Sequence, residues 1–316
     1  MSLYQDVRPQ TFDEVFGNKA IVQALKKMVK MSPEKRPHAY LFHGKSGTGK
    51  TTLARIFARE IGCSGVDLHE LNGSDHRGID DARRVIEQSA SCPIASDSRV
   101  FIWDECHKMT ADAQNAILKI IEDSPPHAYF IFCSTEPEKI LKTIRNRCIC
   151  LQTESLSDSD MTALLDKVLD DIERDVEDEV FESIIITAEG SPRQALTLLE
   201  LVLSIDASDT ESKLSVIERA RAEYQVIDLC RILIKGGQTW KKVVECYKGI
   251  DAEPEQIRRA ILGYCKAILL GNSNMRTMNR AALLISYLEG NTFDLGEPKL
   301  VKDLFEFVTT VDGGRK

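Results

Sequence analysis

No apolar run in this 316-residue chain approaches the ~20 residues that cross a bilayer, so a helical membrane span is not expected. The opening Met1-Ser2-Leu3-Tyr4-Gln5-Asp6 has neither a basic stretch nor an apolar one, and no signal peptide is predicted from it. There is no C-x-x-C pair among the nine cysteines, and Cys148-Ile149-Cys150 alone is not a zinc site. An odd, scattered set of thiols predicts buried free cysteines in a reducing, cytoplasmic setting. Internal repeats and low-complexity linkers are also missing. An excess of positive charge is missing: at a net charge of -8, the chain does not read as a protein that grips nucleic acid with its whole surface.

What is present is an ordinary globular composition, 43% hydrophobic and 28% charged, with length for two or three domains of ~150 residues. The charge is uneven. Residues 158–182 are strongly acidic, whereas Arg77, Arg83 and Arg84 cluster in the N-terminal part, where a local DNA-facing strip is possible.

The segment Gly44-Lys45-Ser46-Gly47-Thr48-Gly49-Lys50-Thr51 follows the apolar Tyr40-Leu41-Phe42 and precedes the helix-periodic Thr52-Leu53-Ala54-Arg55-Ile56-Phe57-Ala58. This is a phosphate-loop pattern in its proper strand-to-helix context. The glycines let backbone N–H groups close around phosphates, Lys50 can reach the β/γ-phosphates, and Thr51 can hold Mg²⁺. The helix that opens at Lys50 adds the partial positive charge of its N-terminus. Further on, Val100-Phe101-Ile102-Trp103 runs into Asp104-Glu105. A continuous apolar run suits a strand buried on both faces of a parallel sheet, and ligands bind at the C-terminal edge of such sheets. Asp104 then serves as a Mg²⁺ carboxylate and Glu105 as general base for an attacking water.

Apolar runs at 40–43, 66–71, 99–103, 129–133 and 148–151 alternate with helical patterns at 50–61, 79–90, 110–122 and 138–145, after a helix from Lys19 to Met31. The alternation predicts an α/β fold with a parallel sheet and helices on both faces. Strand signals then stop. Helical patterns follow from Met161 and at 177–188, 191–203, 211–220, 224–235, 238–248, 254–270, 275–289 and 297–310. Expected domains are a core at 1–151, a small helical domain at 152–208 and a second helical domain at 209–316.

In this order the residues resemble the AAA+ ATPases of replication clamp loaders, over about residues 4–200. The resemblance is carried by Tyr4 with Val7-Arg8-Pro9 and Thr11-Phe12-Asp13-Glu14-Val15, by His38-Ala39-Tyr40-Leu41-Phe42-His43-Gly44, and by Asp104-Glu105-Cys106-His107-Lys108. It continues through Ala116-Ile117-Leu118-Lys119, Glu122-Asp123-Ser124-Pro125-Pro126, Cys133-Ser134-Thr135-Glu136 and Arg145-Asn146-Arg147-Cys148. Leu71-Asn72-Gly73-Ser74-Asp75-His76-Arg77-Gly78-Ile79-Asp80 resembles a segment of replication factor C small subunits. Bacterial gamma/tau subunits carry a four-cysteine module for which the stretch from Cys63 to Asp67 leaves no room. The replication factor C type, or a viral loader of similar layout, is therefore the nearer analogue.

The resemblance implies an AAA+ core, a helical lid and a C-terminal all-helical collar. It implies ATP bound by Val7 and Arg8 near the adenine, by Gly44, Lys45, Ser46, Gly47, Thr48, Gly49, Lys50, Thr51 and Thr52 at the phosphates, and by Arg193 as sensor 2. Catalysis would use Lys50, Asp104, Glu105, Thr135 as sensor 1, Arg193, and Arg147 as an arginine finger inserted into a neighbouring subunit. Thr51 and Asp104 would hold Mg²⁺. Arg77, Arg83 and Arg84 would face DNA, although Arg83 and Arg84 equally fit a solvated helix face. Two departures stand out: Asn146 replaces the usual serine before the finger, and Gln194 replaces the acid after sensor 2. The implied partners are a sliding clamp, primer–template DNA and other loader subunits in a pentameric homo- or hetero-oligomer. The implied place is the nucleoid or replication site, or the host cytoplasm for a viral protein. Two alternatives remain open: another AAA+ DNA-associated machine, branch-migrating or helicase-associated, and a loader subunit that binds nucleotide for structure alone.

Overall fold

The computed structural model describes residues 2–206, 209–237, 239–250, 252–271 and 274–311. The chain forms two compact units, Met1–Thr210 and Glu211–Lys316. The first holds a five-stranded sheet: β1 (Ala39–His43), β2 (Leu68–Asn72), β3 (Arg99–Asp104), β4 (Ala128–Ser134) and β5 (Ile149–Gln152), in the order β2-β3-β4-β1-β5. All pairings are parallel. The apolar runs explain this order. Every residue of β4 is buried, as are all but the last of β1 and β3, which suits the three inner positions; β2 and β5, with His69, Glu70 and Gln152, are the edges.

Side chains alternate across the sheet, so each face has its own core. Tyr40, Phe42, Val100, Ile102 and Ile131 meet Leu25 of α2 (Lys19–Val29) and Leu53, Ile56 and Phe57 of α3 (Lys50–Glu60). Leu41, Phe101, Trp103, Phe130 and Phe132 meet Val85 of α4 (Ile79–Ser89) and Ile117 of α5 (Ala111–Glu122). A short helix, α1 (Leu3–Asp6), precedes them. The α2 helix stops two residues before the expected Met31, and Arg36 caps this end: the guanidinium donates to the carbonyls of Met28 at 3.1 Å, Val29 at 2.7 Å and, beyond the helix, Met31 at 2.9 Å.

The helix expected over 138–145 is broken. Pro137–Lys139 forms a 3₁₀ turn, Ile140 and Leu141 are extended, and α6 covers only Lys142–Arg145. The buried amide of Gln114 causes the break, since its oxygen accepts the Leu141 N–H at 2.9 Å and so takes a donor that a continuous helix would use. After β5 come α7 (Asp158–Asp171), α8 (Asp178–Ala188) and α9 (Pro192–Leu203), with Ser157 and Ser191 as side-chain N-caps of α7 and α9.

The second unit is helical: α10 (Thr210–Lys235), α11 (Trp240–Lys248), α12 (Pro254–Leu270), α13 (Met275–Tyr287) and α14 (Glu297–Val311). Its core joins Leu229, Leu233, Ile261, Leu284, Leu300 and Phe307. Expected as two helices, 211–220 and 224–235 are one, because Arg221-Ala222-Glu223 between them are all good helix formers. The compact units part at Thr210, two residues beyond the expected boundary after 208. Ala207, Ser208 and Gln238, on which that boundary and the start of the 238–248 helix fall, lie outside the described residues.

Candidate active site

Parallel pairing sets the chemistry-bearing ends of the strands side by side. His43 is in register with Ser134, and Asn72 with Asp104. The phosphate loop leaves the end of β1 and turns into α3 at Gly49, whose φ is +92°. Lys50 is buried, and its Nζ donates to the loop carbonyls of Gly44 at 3.0 Å and Lys45 at 2.6 Å. Burial pushes this amine below its ordinary pKa, against the upward pull of Glu105 and Asp104. Thr51 Oγ1 donates to Asp104 Oδ2 at 2.9 Å. Thr135, at the end of β4, has its Oγ1 3.4 Å from Glu105 Oε2.

A cavity of about 260 Å³ lies over the loop. Ser46–Leu53, Asp104 and Glu105 line its polar end, and Tyr4, Val7, Val15, Phe16, Leu164 and Leu196 are among its apolar lining. Arg8 also lines it and donates to Thr52 Oγ1 at 3.0 Å. Arg193, in the first turn of α9, reaches the same cavity with its guanidinium 5.4 Å from the Tyr4 ring centroid. The N-terminus of α9 packs directly on the loop. A Cβ at Gly47, where φ is +78°, would lie 2.2 Å from Ser191 Oγ, so only glycine fits there.

Glu105 has φ +51° and ψ +39°, a left-handed conformation that costs a non-glycine residue ~1–2 kcal/mol. Its surroundings fix it. The Glu105 N–H bonds Asp104 Oδ1 at 3.0 Å, its carbonyl accepts the Lys108 N–H at 3.0 Å, and Gly73 lies against it. A Cβ at Gly73 would stand 2.4 Å from the Glu105 carbonyl oxygen, and the Gly73 N–H donates to Asp104 O at 2.7 Å. Three more bonds tie the 72–78 segment to the acidic turn: Lys108 Nζ to Ser74 Oγ at 2.8 Å, Trp103 Nε1 to His76 O at 3.1 Å, and Thr110 N to Arg77 O at 2.9 Å.

The sequence-derived residues thus fall into two groups. Lys50, Thr51, Thr52, Asp104, Glu105, Val7, Arg8 and Arg193 surround one cavity, Gly44 and Lys45 lie beneath it, and Thr135 contacts Glu105. Arg147 does not line the cavity. It is exposed after α6, paired with Glu122, and donates to Thr143 O at 3.0 Å. Arg77, Arg83 and Arg84 are also outside it; Arg83 and Arg84 pair with Asp80 at 3.4 Å and Asp81 at 3.8 Å on their own helix. Sequence reading missed the contacts of Gly73, Ser191 and His107, which depend on residues distant in the chain.

For a metal, Thr51 and Asp104 present two hard oxygens 2.9 Å apart beside the phosphate loop. No cluster of three or more His, Cys, Asp or Glu able to hold a metal occurs among the described residues. The Thr51 and Asp104 oxygens suit Mg²⁺, which takes one or two protein oxygens and completes its shell with phosphate and water.

A family model described as "DNA polymerase III, delta subunit" matches residues 64–157. The DNA polymerase III subunit gamma/tau of Mycobacterium tuberculosis (strain ATCC 25618 / H37Rv) is 36% identical over 66% of this chain and 40% of its own length. The subunit tau of Bacillus subtilis (strain 168) is 33% identical over 64% of this chain and 39% of its own length. The likeness is thus to DNA polymerase III subunits. Among solved structures, the Thermotoga maritima RuvB Holliday junction branch migration motor superposes with a TM-score of 0.60 at 17% identity, covering 88% of this chain and 92% of that one. That likeness shows a shared fold. The chain spans about 40% of the length of these curated relatives. These relatives are of the gamma/tau kind, whereas the expectation from the short Cys63–Asp67 stretch is a replication factor C analogue.

Among the described residues no helix is long and apolar enough to cross a membrane.

Proposed function

We propose that the chain is an ATPase subunit of a sliding-clamp loader, hydrolysing ATP to ADP and phosphate and acting in the cytoplasm at sites of replication. One observation carries the reading: Lys50, Thr51, Asp104 and Glu105 converge on a cavity that α9 closes with Arg193. The loop N–H groups and Lys50 bind the phosphates, and the apolar end of the cavity takes the base. Thr51 and Asp104 hold Mg²⁺, which neutralises phosphate charge when bound. Glu105 accepts a proton from water as the water oxygen bonds the γ-phosphorus and the bond to the ADP oxygen breaks. Thr135 orients the attack, and Arg193 couples the γ-phosphate to α7–α9, which we read as the lid. Arg147, at the surface, serves the neighbouring subunit's site, and α10–α14 form the collar of a pentameric ring. Arg77, Arg83 and Arg84 meet the phosphates of primer–template DNA. DNA and clamp together stimulate hydrolysis, which acts as the release switch.

The test is ATP turnover by the purified chain with its candidate partner subunits, with and without primer–template DNA and sliding clamp. Joint stimulation is expected, and Glu105→Gln should lower turnover about 10²–10⁴-fold while ATP still binds. Turnover indifferent to DNA and clamp in the complete assembly would overturn the loader role and favour a different AAA+ machine.

A further inference from the structure

His107 is a buried ionisable group at the edge of the site that the phosphate-loop chemistry leaves without a task. It lies in the 3₁₀ turn Cys106–Lys108, and its side chain is 5% exposed. Nδ1 is 3.2 Å from Ser134 Oγ, and Ser134 is fully buried. The same Oγ accepts the Glu136 N–H at 3.0 Å. Nε2 faces two carboxylates, Glu105 Oε2 at 3.4 Å and Glu136 Oε1 at 3.6 Å. A carboxylate only accepts, so a neutral ring carries its proton on Nε2 and Nδ1 accepts from the Ser134 hydroxyl. Glu136 also receives the Lys139 ammonium at 2.8 Å, so the imidazole N–H matters more to Glu105. Burial lowers the His107 pKa, against the pull of Glu105 and Glu136 and with the push of Lys139 and Lys108, which favours a neutral ring.

We propose that His107 is a positioning residue for Glu105: Ser134 fixes its neutral imidazole, whose Nε2–H holds Oε2 beside Thr135 and leaves Oε1 to receive the proton from water. The inference rests on the ATPase reading above. It accounts for how a carboxylate on a strained backbone keeps one orientation before substrate arrives.

The test compares the full chain, assembled with its partner subunits and DNA, as wild type, His107→Ala, His107→Gln, Glu105→Gln and the His107→Ala/Glu105→Gln double variant. His107→Ala should lower kcat about 10- to 100-fold, the size expected when a reacting group is misplaced by ~1 Å. Affinity for a non-hydrolysable ATP analogue should stay within about twofold. His107→Gln, with an amide N–H near the place of Nε2, should recover most of the rate, and the double variant should be no slower than Glu105→Gln alone. An unchanged kcat in His107→Ala, or a joint fall in rate and ATP affinity without rescue by His107→Gln, would overturn the proposal.

If wild type shows no turnover, the ATPase reading fails, and ¹⁵N imidazole shifts of the chain alone decide the matter for His107. A neutral Nε2–H tautomer whose resonances move in Glu105→Gln supports the contact; an Nδ1–H tautomer, or resonances indifferent to Glu105→Gln, overturns it.

Discussion

Single residues decide whether the acidic turn can exist. Glu105 occupies a left-handed backbone conformation, and the closest support is a residue with no side chain, Gly73, thirty-odd positions earlier in the chain. Gly73→Ala would put a methyl 2.4 Å from a backbone oxygen that cannot swing away, so either the 72–78 segment or the turn must move. The expected result is a loss of about 1–3 kcal/mol in stability and a fall in ATP turnover larger than any fall in ATP binding, read by thermal unfolding and steady-state kinetics. A variant as stable and active as wild type would show that the turn tolerates the displacement. Lys50, Thr51, Asp104 and Glu105 are legible in the sequence because each pair sits in a short contiguous pattern with the right strand before it. Gly73, Ser191 and His107 are not, since their value lies in contacts across 32, 144 and 27 positions with Glu105, Gly47 and Ser134.

At the scale of elements, one buried ion pair fastens the far end of the sheet. Asp67 is fully buried where the chain enters β2, and it accepts from Arg99 of β3 at 3.0 Å and from the N–H groups of Ile94 and Ala95 at 2.9 and 2.8 Å. Arg99 also donates to Gln88 O at 2.7 Å near the end of α4, so the pair joins two strands, a helix and a loop. Burial alone would raise the Asp67 pKa, but the two N–H groups and Arg99 outweigh it and hold the carboxyl well below the ordinary carboxylate range. A depressed folded pKa contributes stability that is complete above the unfolded value near 4 and is lost as pH falls toward the folded value. Asp67→Asn should therefore cost about 3–5 kcal/mol at neutral pH, with the gap to wild type closing below about pH 4 in thermal melts taken across that range. A gap independent of pH would mean that Asp67 stabilises by shape alone. The sequence shows the strands that this pair joins, but Asp67 reads there only as an acid inside the 66–71 run, because its partner is 32 residues away.

For the molecule as a whole, the first unit carries every residue that lines the candidate site's cavity. The cavity is lined from Tyr4 to Arg193 and Leu196, and both faces of the sheet are covered by helices that precede Thr210. A chain ending at 210 should fold with a single cooperative melt and bind ATP with an affinity within about threefold of the full chain, measured by calorimetry. It should lose assembly-dependent turnover if the second unit is the collar. A fragment that fails to fold, or folds without binding ATP, would show that the helices after 210 are needed to complete the site.

The sequence by itself determined the alternation of strands and helices, the phosphate loop, the acidic strand end and the order of motifs, because each depends on local periodicity or a short run of residues. It did not determine where the 138–145 helix breaks, since a buried amide from α5 takes the Leu141 N–H. Nor did it place Arg147 against Glu122, Ser191 against Gly47, or His107 between Ser134 and Glu105. Those were decided by the strand order β2-β3-β4-β1-β5 and by the seating of α9 on the loop. Parallel strands pair through hydrogen bonds between distant segments, so the neighbours of a side chain at a strand end are set by the ladder and not by the residues beside it in the chain.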